Sequence, residues 1–273
     1  MPGSGPDEKM QVWKGSRNMK PLEIKHRVIG GGEPLICVPV VEQDAQSVIR
    51  EITYLSQSTA DMIEWRVDAF RDFTDYNAIR SVFEAVAPLL GEKLFLYTFR
   101  TAHQGGMAQV KAEQLDDLHD LAAESGCVDL VDLEFFEEDR TLHKIKRLRE
   151  MGVSVIASHH DFEQTPSPEV MKMLLEKMCA GGADIVKLAV MPQNYKDVLN
   201  LLDVTAQFRE ENPDTPVITM SMGSLGGISR ISGETFGSCV TFGAHEKPSA
   251  PGQFAMKELR QMLDTIHASS QIQ

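Results

Sequence analysis

Cysteine is scarce in this sequence and widely spaced. Only four occur in 273 residues and none belongs to a C-x-x-C pair; they are Cys37, Cys127, Cys179 and Cys239. Three of them lie in or beside apolar runs, which favours buried thiols in a reducing compartment over zinc ligands or a cysteine nucleophile. We therefore expect a cytoplasmic protein without a metal site.

A long apolar run and an excess of positive charge are also missing. No apolar stretch approaches the roughly 18 residues that suggest a membrane span, and the N-terminus lacks a charged-then-apolar signal segment. Lys and Arg number 27 against 40 Asp and Glu, which gives a net charge of −13. Surfaces that bind nucleic acid or anionic membranes need a basic footprint, so we expect neither partner.

What the sequence does contain is a regular alternation of two patterns after Gly32. Short runs rich in Val, Ile and Phe, separated by amphipathic stretches, occur at 34–40, 62–68, 93–100, 128–134, 153–160, 184–190, 216–222 and 238–243. Alternating strand and helix periods indicate parallel strands with crossover helices, and eight such units predict a (β/α)8 barrel in the α/β class. An open doubly wound sheet is the main alternative, but its usual Gly-rich phosphate loop after the first strand is missing.

The N-terminal region differs from the rest. Residues 1–10 are mostly small and polar and predict a disordered leader or cloning remnant. Two alternating stretches, VWKG and LEIKHRVIG, are separated by SRNMKP between Gln11 and Gly32 and predict a β-hairpin. No linker divides the chain after Gly32, so residues 11–273 are expected to form one barrel domain.

Charged residues stand late in several of the apolar runs. They are Glu64 and Arg66 on one face of the second run, Arg100 in the third, Asp132 and Glu134 in the fourth, His159 and His160 in the fifth, and Lys187 in the sixth. Functional sites of parallel barrels lie at the carboxyl ends of the strands, and unpaired buried charge is costly. Converging charges therefore predict a site for a small polar anion.

Each charge also has a simpler structural explanation. Glu64 and Arg66 would form an ion pair, Lys187 would extend its ammonium to water, and Arg100 would cap a strand at the surface. His160 would be a satisfied core or loop histidine. Asp132 and Glu134 fit best as structural partners of interior arginines. Five separate explanations of this kind are needed, which favours a common site.

Lys187 and His160 suggest a specific chemistry. Loss of solvation in an apolar strand favours a neutral lysine amine, which can attack a carbonyl and form a Schiff base. The resulting iminium withdraws electrons and acidifies a neighbouring C–H bond, and histidine is the commonest residue to move such a proton. His159 is expected to face away from this site. Asp161 could orient the His160 ring, but its position after the strand favours the start of a turn with a capping role.

Two later segments add candidate anion ligands. SMGSLGGISRISG places Arg230 just after the seventh run, where a guanidinium can bind a carboxylate. HEKPSAPGQ places Ser249, Ala250 and Gln253 at the expected start of the last helix, whose N-terminus would favour an anion. A phosphosugar fits this corner of a barrel as well. The Gly-, Ser- and Pro-rich residues 223–227 and 243–252 are candidates for a lid.

A set of motifs stands in order along most of the chain. EWRVD (64–68), TFRT (98–101), SHHDF (158–162), KLAVMP (187–192), SMG (221–223), SR (229–230), GETFGS (233–238), TFGA (241–244) and SAPGQ (249–253) together resemble the type I 3-dehydroquinate dehydratases of the shikimate pathway. The resemblance runs from about residue 20 to about residue 268. It implies a cytoplasmic (β/α)8 lyase of aromatic amino-acid and chorismate biosynthesis, usually homodimeric and independent of metals and organic cofactors.

The resemblance also implies residue roles. Lys187 would form the Schiff base with the ketone of 3-dehydroquinate, and His160 would abstract the C2 proton and protonate the leaving hydroxyl, giving 3-dehydroshikimate. Matching positions for the substrate's hydroxyls and carboxylate are Glu64, Arg66, Arg100, Arg230, Ser249 and Gln253, with Met220, Met222 and Phe242 lining the site. One position departs from the family pattern, because Gln104 stands where a Glu is usual beside the catalytic His. An amide cannot stabilise an imidazolium by charge, so we expect altered titration of His160.

Three alternatives remain open. Another Schiff-base barrel enzyme, such as a class I aldolase acting on a phosphosugar, is disfavoured by the three arginines Arg66, Arg100 and Arg230. A weakly catalytic relative that only binds ligand has Gln104 as its support. A metal hydrolase fits least, because His159 and His160 project to opposite faces of their strand.

Overall fold

The computed structural model describes residues 22–137 and 141–271. The predicted leader at residues 1–10 and the VWKG stretch lie outside the described residues. Eight parallel strands and the helices between them make a (β/α)8 barrel preceded by a hairpin, which confirms the predicted fold class.

The elements follow one another with short connections. The strands are β1 (Leu22–Ile24), β2 (Arg27–Ile29), β3 (Leu35–Val40), β4 (Met62–Arg66), β5 (Leu94–Thr98), β6 (Leu130–Glu134), β7 (Ser154–Asp161), β8 (Ile185–Val190), β9 (Val217–Ser221) and β10 (Val240–Phe242). The helices are α1 (Ala45–Ser56), α2 (Tyr76–Val86), α3 (Ala112–Glu124), α4 (Thr141–Glu150), α5 (Pro168–Ala180), α6 (Tyr195–Glu211), α7 (Gly227–Ile231), α8 (Gly233–Phe236) and α9 (Met256–Ser270).

Local sequence explains where several helices begin. Asp44 and Asp75 accept hydrogen bonds from backbone N–H groups in the first turns of α1 and α2. Asn194 and Asp197 form a reciprocal capping box at the start of α6. Such side chains satisfy amide groups that the helix itself leaves unpaired, so the turn from strand to helix is encoded locally.

The sheet has the strand order β10-β3-β4-β5-β6-β7-β8-β9, with every neighbouring pair parallel. A parallel bridge between Val217 and Ser238 joins the two ends, and the Cys239 N–H donates to the Val217 carbonyl at 2.8 Å. The sheet is therefore nearly closed, and the carboxyl ends of all eight strands meet at one rim.

The hairpin has a different position from the one predicted. Both strands, β1 and β2, come from LEIKHRVIG, which folds back on itself at Lys25 and His26. Lys25 takes a left-handed backbone conformation with φ of 52°. The sequence pattern predicts one strand per stretch, because the alternation in LEIKHRVIG continues through a turn that carries no Gly or Pro.

The hairpin covers the amino-terminal end of the barrel. Ile29 is fully buried and belongs to the apolar cluster inside the barrel, against which Leu22 and Ile24 also pack. Arg27 pairs with Asp61, and Lys25 with Asp129, each at 2.8 Å. The amino-terminal end is thus covered by apolar and ionic contacts, at the end of the barrel opposite the rim where the strands finish.

The last helix begins later than the sequence suggested. Helix α9 starts at Met256, with Ala255 as its N-cap residue. The expectation that Ser249 and Gln253 stand at a helix N-terminus was therefore wrong, because Pro251 and Gly252 keep this segment in a turn. Any anion near these residues meets loop side chains rather than a helix dipole.

The four cysteines are free thiols. Cys37 and Cys239 are buried, and none of the four cysteines, all within the described ranges, forms a disulfide. Burial raises the pKa of the Cys239 thiol to about 12, which keeps it protonated and unreactive. Among the helices that the structure describes, none is long and apolar enough to cross a membrane.

The hairpin contact predicts a measurable contribution to stability. Ile29→Ala removes a fully buried side chain and leaves a cavity, so we expect it to lower the free energy of unfolding by about 2–4 kcal/mol. Val28→Ala, on the same strand but 44% exposed, is expected to change it by less than about 0.5 kcal/mol. Urea denaturation of both variants measures the difference, and equal midpoints would contradict the packing role of Ile29.

Candidate active site

A cavity lies at the rim formed by the carboxyl ends of the strands. Its lining brings together Glu64, Arg66, Arg100, Gln104, Gly105, His160, Phe162, Lys187, Ala189, Met220, Met222, Phe242, Ser249, Ala250 and Gln253. These residues come from six strands or the loops that follow them. Every residue that the sequence proposed for the site lines the cavity except Arg230.

Glu64 and Arg66 do not form the ion pair that their spacing suggested. Arg66 binds Asp68 instead, through two hydrogen bonds of 2.8 Å, and Glu64 accepts the Thr98 hydroxyl at 2.8 Å. Burial opposes ionisation of Asp68, but Arg66 outweighs it and lowers the pKa of that carboxyl. Asp68 thereby fixes Arg66 and frees Glu64 to face the cavity.

Arg100 is buried rather than capping a strand at the surface, with 3% of its area exposed. Its guanidinium donates to Asp132 at 2.8 Å, to Glu134 at 3.0 Å and to the Ser158 hydroxyl at 3.1 Å. The expectation that Asp132 and Glu134 are partners of an interior arginine is confirmed. Burial alone would lower the pKa of Arg100, but these carboxylates outweigh it and raise that pKa.

Lys187 has an acidic partner that the apolar context of its strand concealed. Its Nζ lies 2.9 Å from Asp132 and 4.0 Å from Glu64, and 4.5 Å from the centroid of the Phe242 ring. The strand register aligns Lys187 with Ser158, which itself donates to Asp132 at 2.5 Å. The ammonium is therefore compensated within the barrel, and the expectation that it extends to water does not hold.

His160 faces the cavity, and Gln104 contacts it. Gln104 Oε1 accepts the His160 backbone N–H at 2.8 Å and lies 3.2 Å from Nδ1. Burial, together with the charges of Arg100 and Lys187, lowers the pKa of His160 well below its ordinary value, while Asp132 opposes the shift. The ring is accordingly neutral near pH 7 and able to accept a proton.

The neighbours of His160 have other roles. The ring of His159 packs edge-on against Phe136 with centroids 5.4 Å apart, on the side away from the cavity, as predicted from strand alternation. Asp161 accepts backbone N–H groups of Glu163 and Gln164 at 2.9 Å, which makes it a turn residue. Asp161 therefore fixes the loop after β7.

Arg230 is the predicted residue that lies outside the cavity lining. It is buried, and Nη2 donates to the Pro251 carbonyl at 3.0 Å, whereas Nε and Nη1 have no hydrogen-bond partner within the described residues. Burial lowers the pKa of Arg230 to about 10, with no carboxylate among the causes of the shift. A buried guanidinium with two free donors is suited to an anionic ligand.

The two candidate lid segments are joined to each other. Gly223 N–H donates to the Pro251 carbonyl at 3.1 Å, and a Cβ at Gly252, whose φ is +78°, would lie 2.2 Å from the Gly223 carbonyl oxygen. Ser249 N–H donates to Gln253 Oε1 at 2.7 Å, and Gln253 Nε2 donates to Ser249 Oγ at 3.0 Å. Polar side chains of one loop thus border the cavity in a fixed arrangement.

Sequence reasoning did not single out Asp68, Gly105 and Phe162, which shape the site. Asp68 stands inside the quoted EWRVD motif, and its spacing of two from Arg66 was the available signal. Gly105 has φ of 81°, and a Cβ there would come within 2.4 Å of the Phe162 ring, a contact between two loops that spacing cannot reveal.

In residues 22–137 and 141–271, no cluster of three His, Cys, Asp or Glu side chains is placed to hold a metal ion.

The chain is similar to known proteins of one family. The family model described as type I 3-dehydroquinase matches residues 36–270. Curated relatives named 3-dehydroquinate dehydratase include proteins of Syntrophotalea carbinolica, 41% identical, and Listeria monocytogenes, 42% identical; each match covers 91% of this chain and 99% of the relative.

Solved structures give the same result. A type I 3-dehydroquinate dehydratase from Clostridium difficile, with covalently modified comenic acid, has a TM-score of 0.89 at 38% identity and covers 92% of this chain and 100% of its own. A 3-dehydroquinate dehydratase from Geobacillus kaustophilus has a TM-score of 0.89 at 35% identity, covering 92% and 98%. On the family match, the curated relatives and the shared fold, the chain belongs to the type I 3-dehydroquinase family.

Proposed function

We propose that the chain removes water from 3-dehydroquinate through a Schiff base on Lys187, with His160 as the general acid and base. Its family makes it a 3-dehydroquinate dehydratase, a hydro-lyase of the shikimate pathway. The single observation that supports the mechanism is the placement of buried Lys187 and of His160 in one cavity at the rim of the barrel.

The first stage is imine formation. His160 accepts the proton of the Lys187 ammonium, and the free amine attacks the substrate ketone to give a carbinolamine. His160 then returns the proton to the carbinolamine hydroxyl, which leaves as water and gives the iminium. Asp132, 2.9 Å from Nζ, stabilises the positive charge both before the reaction and in the iminium. The carboxylate thus faces the nitrogen that carries the positive charge both at the start and at the end of this stage.

The second stage is elimination. His160 takes the C2 proton, and the electron pair of that C–H bond moves towards the iminium carbon to give an enamine. Collapse of the enamine expels the hydroxyl at the β carbon, which His160 protonates, so that water leaves and the iminium returns. Hydrolysis of this conjugated imine releases 3-dehydroshikimate and the Lys187 amine.

Substrate binding is divided between paired and unpaired groups. Arg66 and Arg100 are each neutralised by carboxylates, so they are suited to hydroxyl recognition and orientation more than to binding a full negative charge. Arg230 has no carboxylate partner in the described parts of the chain and is proposed to receive the substrate carboxylate as the loop of Ser249 and Gln253 adjusts around it. Met220, Met222 and Phe242 supply apolar walls for the ring.

Assembly and location are further proposals. The resemblance to the family implies a homodimer in the cytoplasm. Sedimentation velocity across a concentration series measures the oligomeric state directly.

Two other functions are separated from this one by simple assays. A class I aldolase would also form an imine on Lys187, but it would cleave a carbon–carbon bond of a phosphosugar. A protein that only binds ligand would leave 3-dehydroquinate unchanged. Absorbance of the conjugated enoate product, measured with 3-dehydroquinate and with phosphosugars, distinguishes all three.

The Schiff base predicts a covalent adduct. Reduction with borohydride in the presence of 3-dehydroquinate is expected to add a substrate-derived mass to Lys187, found by peptide mass spectrometry. Lys187→Met is expected to lose the adduct and to lower kcat by roughly a thousandfold or more, because the nucleophile is gone. Lys196→Met, at an exposed position of α6, is the matched control and should keep both the adduct and the kcat of the parent. An active enzyme without the adduct would overturn the assignment.

Gln104 predicts a shifted pH dependence. Gln104→Glu places a negative charge beside His160, which favours the imidazolium and raises the pKa of His160. The neutral base is then lost at a higher pH, so the acidic limb of the kcat/KM profile should move to higher pH. Profiles of the two proteins that superimpose would contradict a contact between residue 104 and the catalytic ring.

Arg230 predicts an effect on binding. Arg230→Gln removes the charge proposed to hold the substrate carboxylate throughout the reaction, so KM should rise about 10- to 100-fold with a smaller change in kcat. Arg230→Lys should fall between this variant and the parent. Arg50→Gln, an exposed substitution of the same kind on α1, should leave both constants unchanged. An unaltered KM in Arg230→Gln would rule out this role.

A further inference from the structure

The amide of Gln104 is held at both ends. Oε1 accepts the backbone N–H of His160 at 2.8 Å, and Nε2 donates to Glu137 Oε1 at 2.7 Å. A backbone N–H only donates and an ionised carboxylate only accepts. The two partners therefore determine which end of the amide faces His160 and which faces Glu137.

This orientation has a consequence for the imidazole. The atom 3.2 Å from His160 Nδ1 is Gln104 Oε1, which is an acceptor and needs a donor opposite it. The proton of neutral His160 is therefore on Nδ1, and the lone pair is on Nε2. Only this tautomer offers Nε2 as a base to a substrate bound beside Lys187.

We propose that Glu137 is a positioning residue for the dehydration: it holds the Gln104 amide so that His160 keeps its proton on Nδ1 and its lone pair on Nε2. The proposal rests on the role of His160 in the proposed function. Glu137 acts through Gln104 and does not itself need to touch the substrate.

The two residues before Glu137 contact strand β7. Phe135 N–H donates to the Ser158 carbonyl at 3.0 Å, and Phe136 packs edge-on against His159. These contacts join the segment after β6 to strand β7, which carries His160. Glu137 follows this segment directly; its side chain is exposed but reaches the Gln104 amide at 2.7 Å.

Most of the charged groups that act on His160 are positive. Arg66 on β4, Arg100 after β5 and Lys187 on β8 all disfavour the imidazolium, and Asp132 on β6 opposes them. Gln104 touches the ring without a charge of its own. Glu137 adds a negative charge one hydrogen bond further out, which favours the partial positive charge that develops on the ring as Nε2 takes a proton.

The test compares three variants with the parent enzyme. Glu137→Leu removes the acceptor, Glu137→Gln keeps an acceptor without the charge, and Glu163→Gln removes an exposed carboxylate after β7 as the matched control. We expect Glu137→Leu to lower kcat by about three- to tenfold with KM within about twofold, because one positioning hydrogen bond is lost. The kcat of Glu137→Gln should lie between those of Glu137→Leu and the parent. The acidic limb of its kcat/KM profile should lie at lower pH than that of the parent. The control should match the parent.

The tautomer gives a readout that does not depend on activity. In protein labelled with 15N-histidine, and with His160→Gln used to assign the signal, the parent should show His160 protonated on Nδ1. Glu137→Leu should show an increased share of the Nε2-protonated form. Equal tautomer populations and equal kcat in Glu137→Leu and Glu163→Gln would overturn the proposal.

A charge exchange tests the relay as a unit. Gln104→Glu alone brings two carboxylates to a contact now 2.7 Å long, whereas the double variant with Glu137→Gln restores a donor and an acceptor. We expect the double variant to be more active than Gln104→Glu alone, and independent effects of the two changes would contradict the relay. Borohydride trapping on Lys187 in the parent separates the outcomes, since its failure would reject the proposed function itself.

Discussion

One carboxylate, Asp132, holds the centre of the site together. Its two oxygens receive Arg100 at 2.8 Å, Lys187 at 2.9 Å and the Ser158 hydroxyl at 2.5 Å, so three strands or their ends are bound to a single buried group. Burial opposes ionisation of Asp132, but the two cations outweigh it and lower its pKa, which keeps the carboxylate charged. Without it, two positive charges would be enclosed in a barrel whose walls are apolar, at a high cost in free energy.

The two ends of the barrel divide stability from chemistry. The hairpin and the apolar interior cluster cover the amino-terminal end, where Ile29 is buried against side chains that fill the barrel. The polar network occupies the opposite rim, in loops that follow the strands. A site assembled from six strand ends is precise because neighbouring strands are paired by hydrogen bonds along the sheet, and a bridge joins β9 to the segment before β10. The acidic surface and the cationic groups of the site coexist because the cations lie inside, most of them paired.

Much of this arrangement was predictable from the sequence, for identifiable reasons. Eight alternating patterns specified the barrel, and charged residues such as Lys187 in apolar strands marked the rim, since burial of charge there needs a partner. The pairing was less predictable: the spacing of Glu64 and Arg66 suggested an ion pair, yet Arg66 binds Asp68. Spacing along one strand places side chains on a face, but side-chain length and the next loop determine which acid a guanidinium reaches.

The sequence by itself determined the order of elements, the family and the residue types available for catalysis, because periodicity and motif order are properties of the chain. Tertiary structure alone decided that Asp132 compensates Lys187 and that Gln104 lies between His160 and Glu137. It also decided that two donors of Arg230 have no partner among the residues that the structure describes. Those contacts join residues 21 to 56 positions apart, across strands whose register no local pattern reports. The proposed position of the His160 proton follows from the direction of these hydrogen bonds, and therefore from three-dimensional contact and not from residue identity.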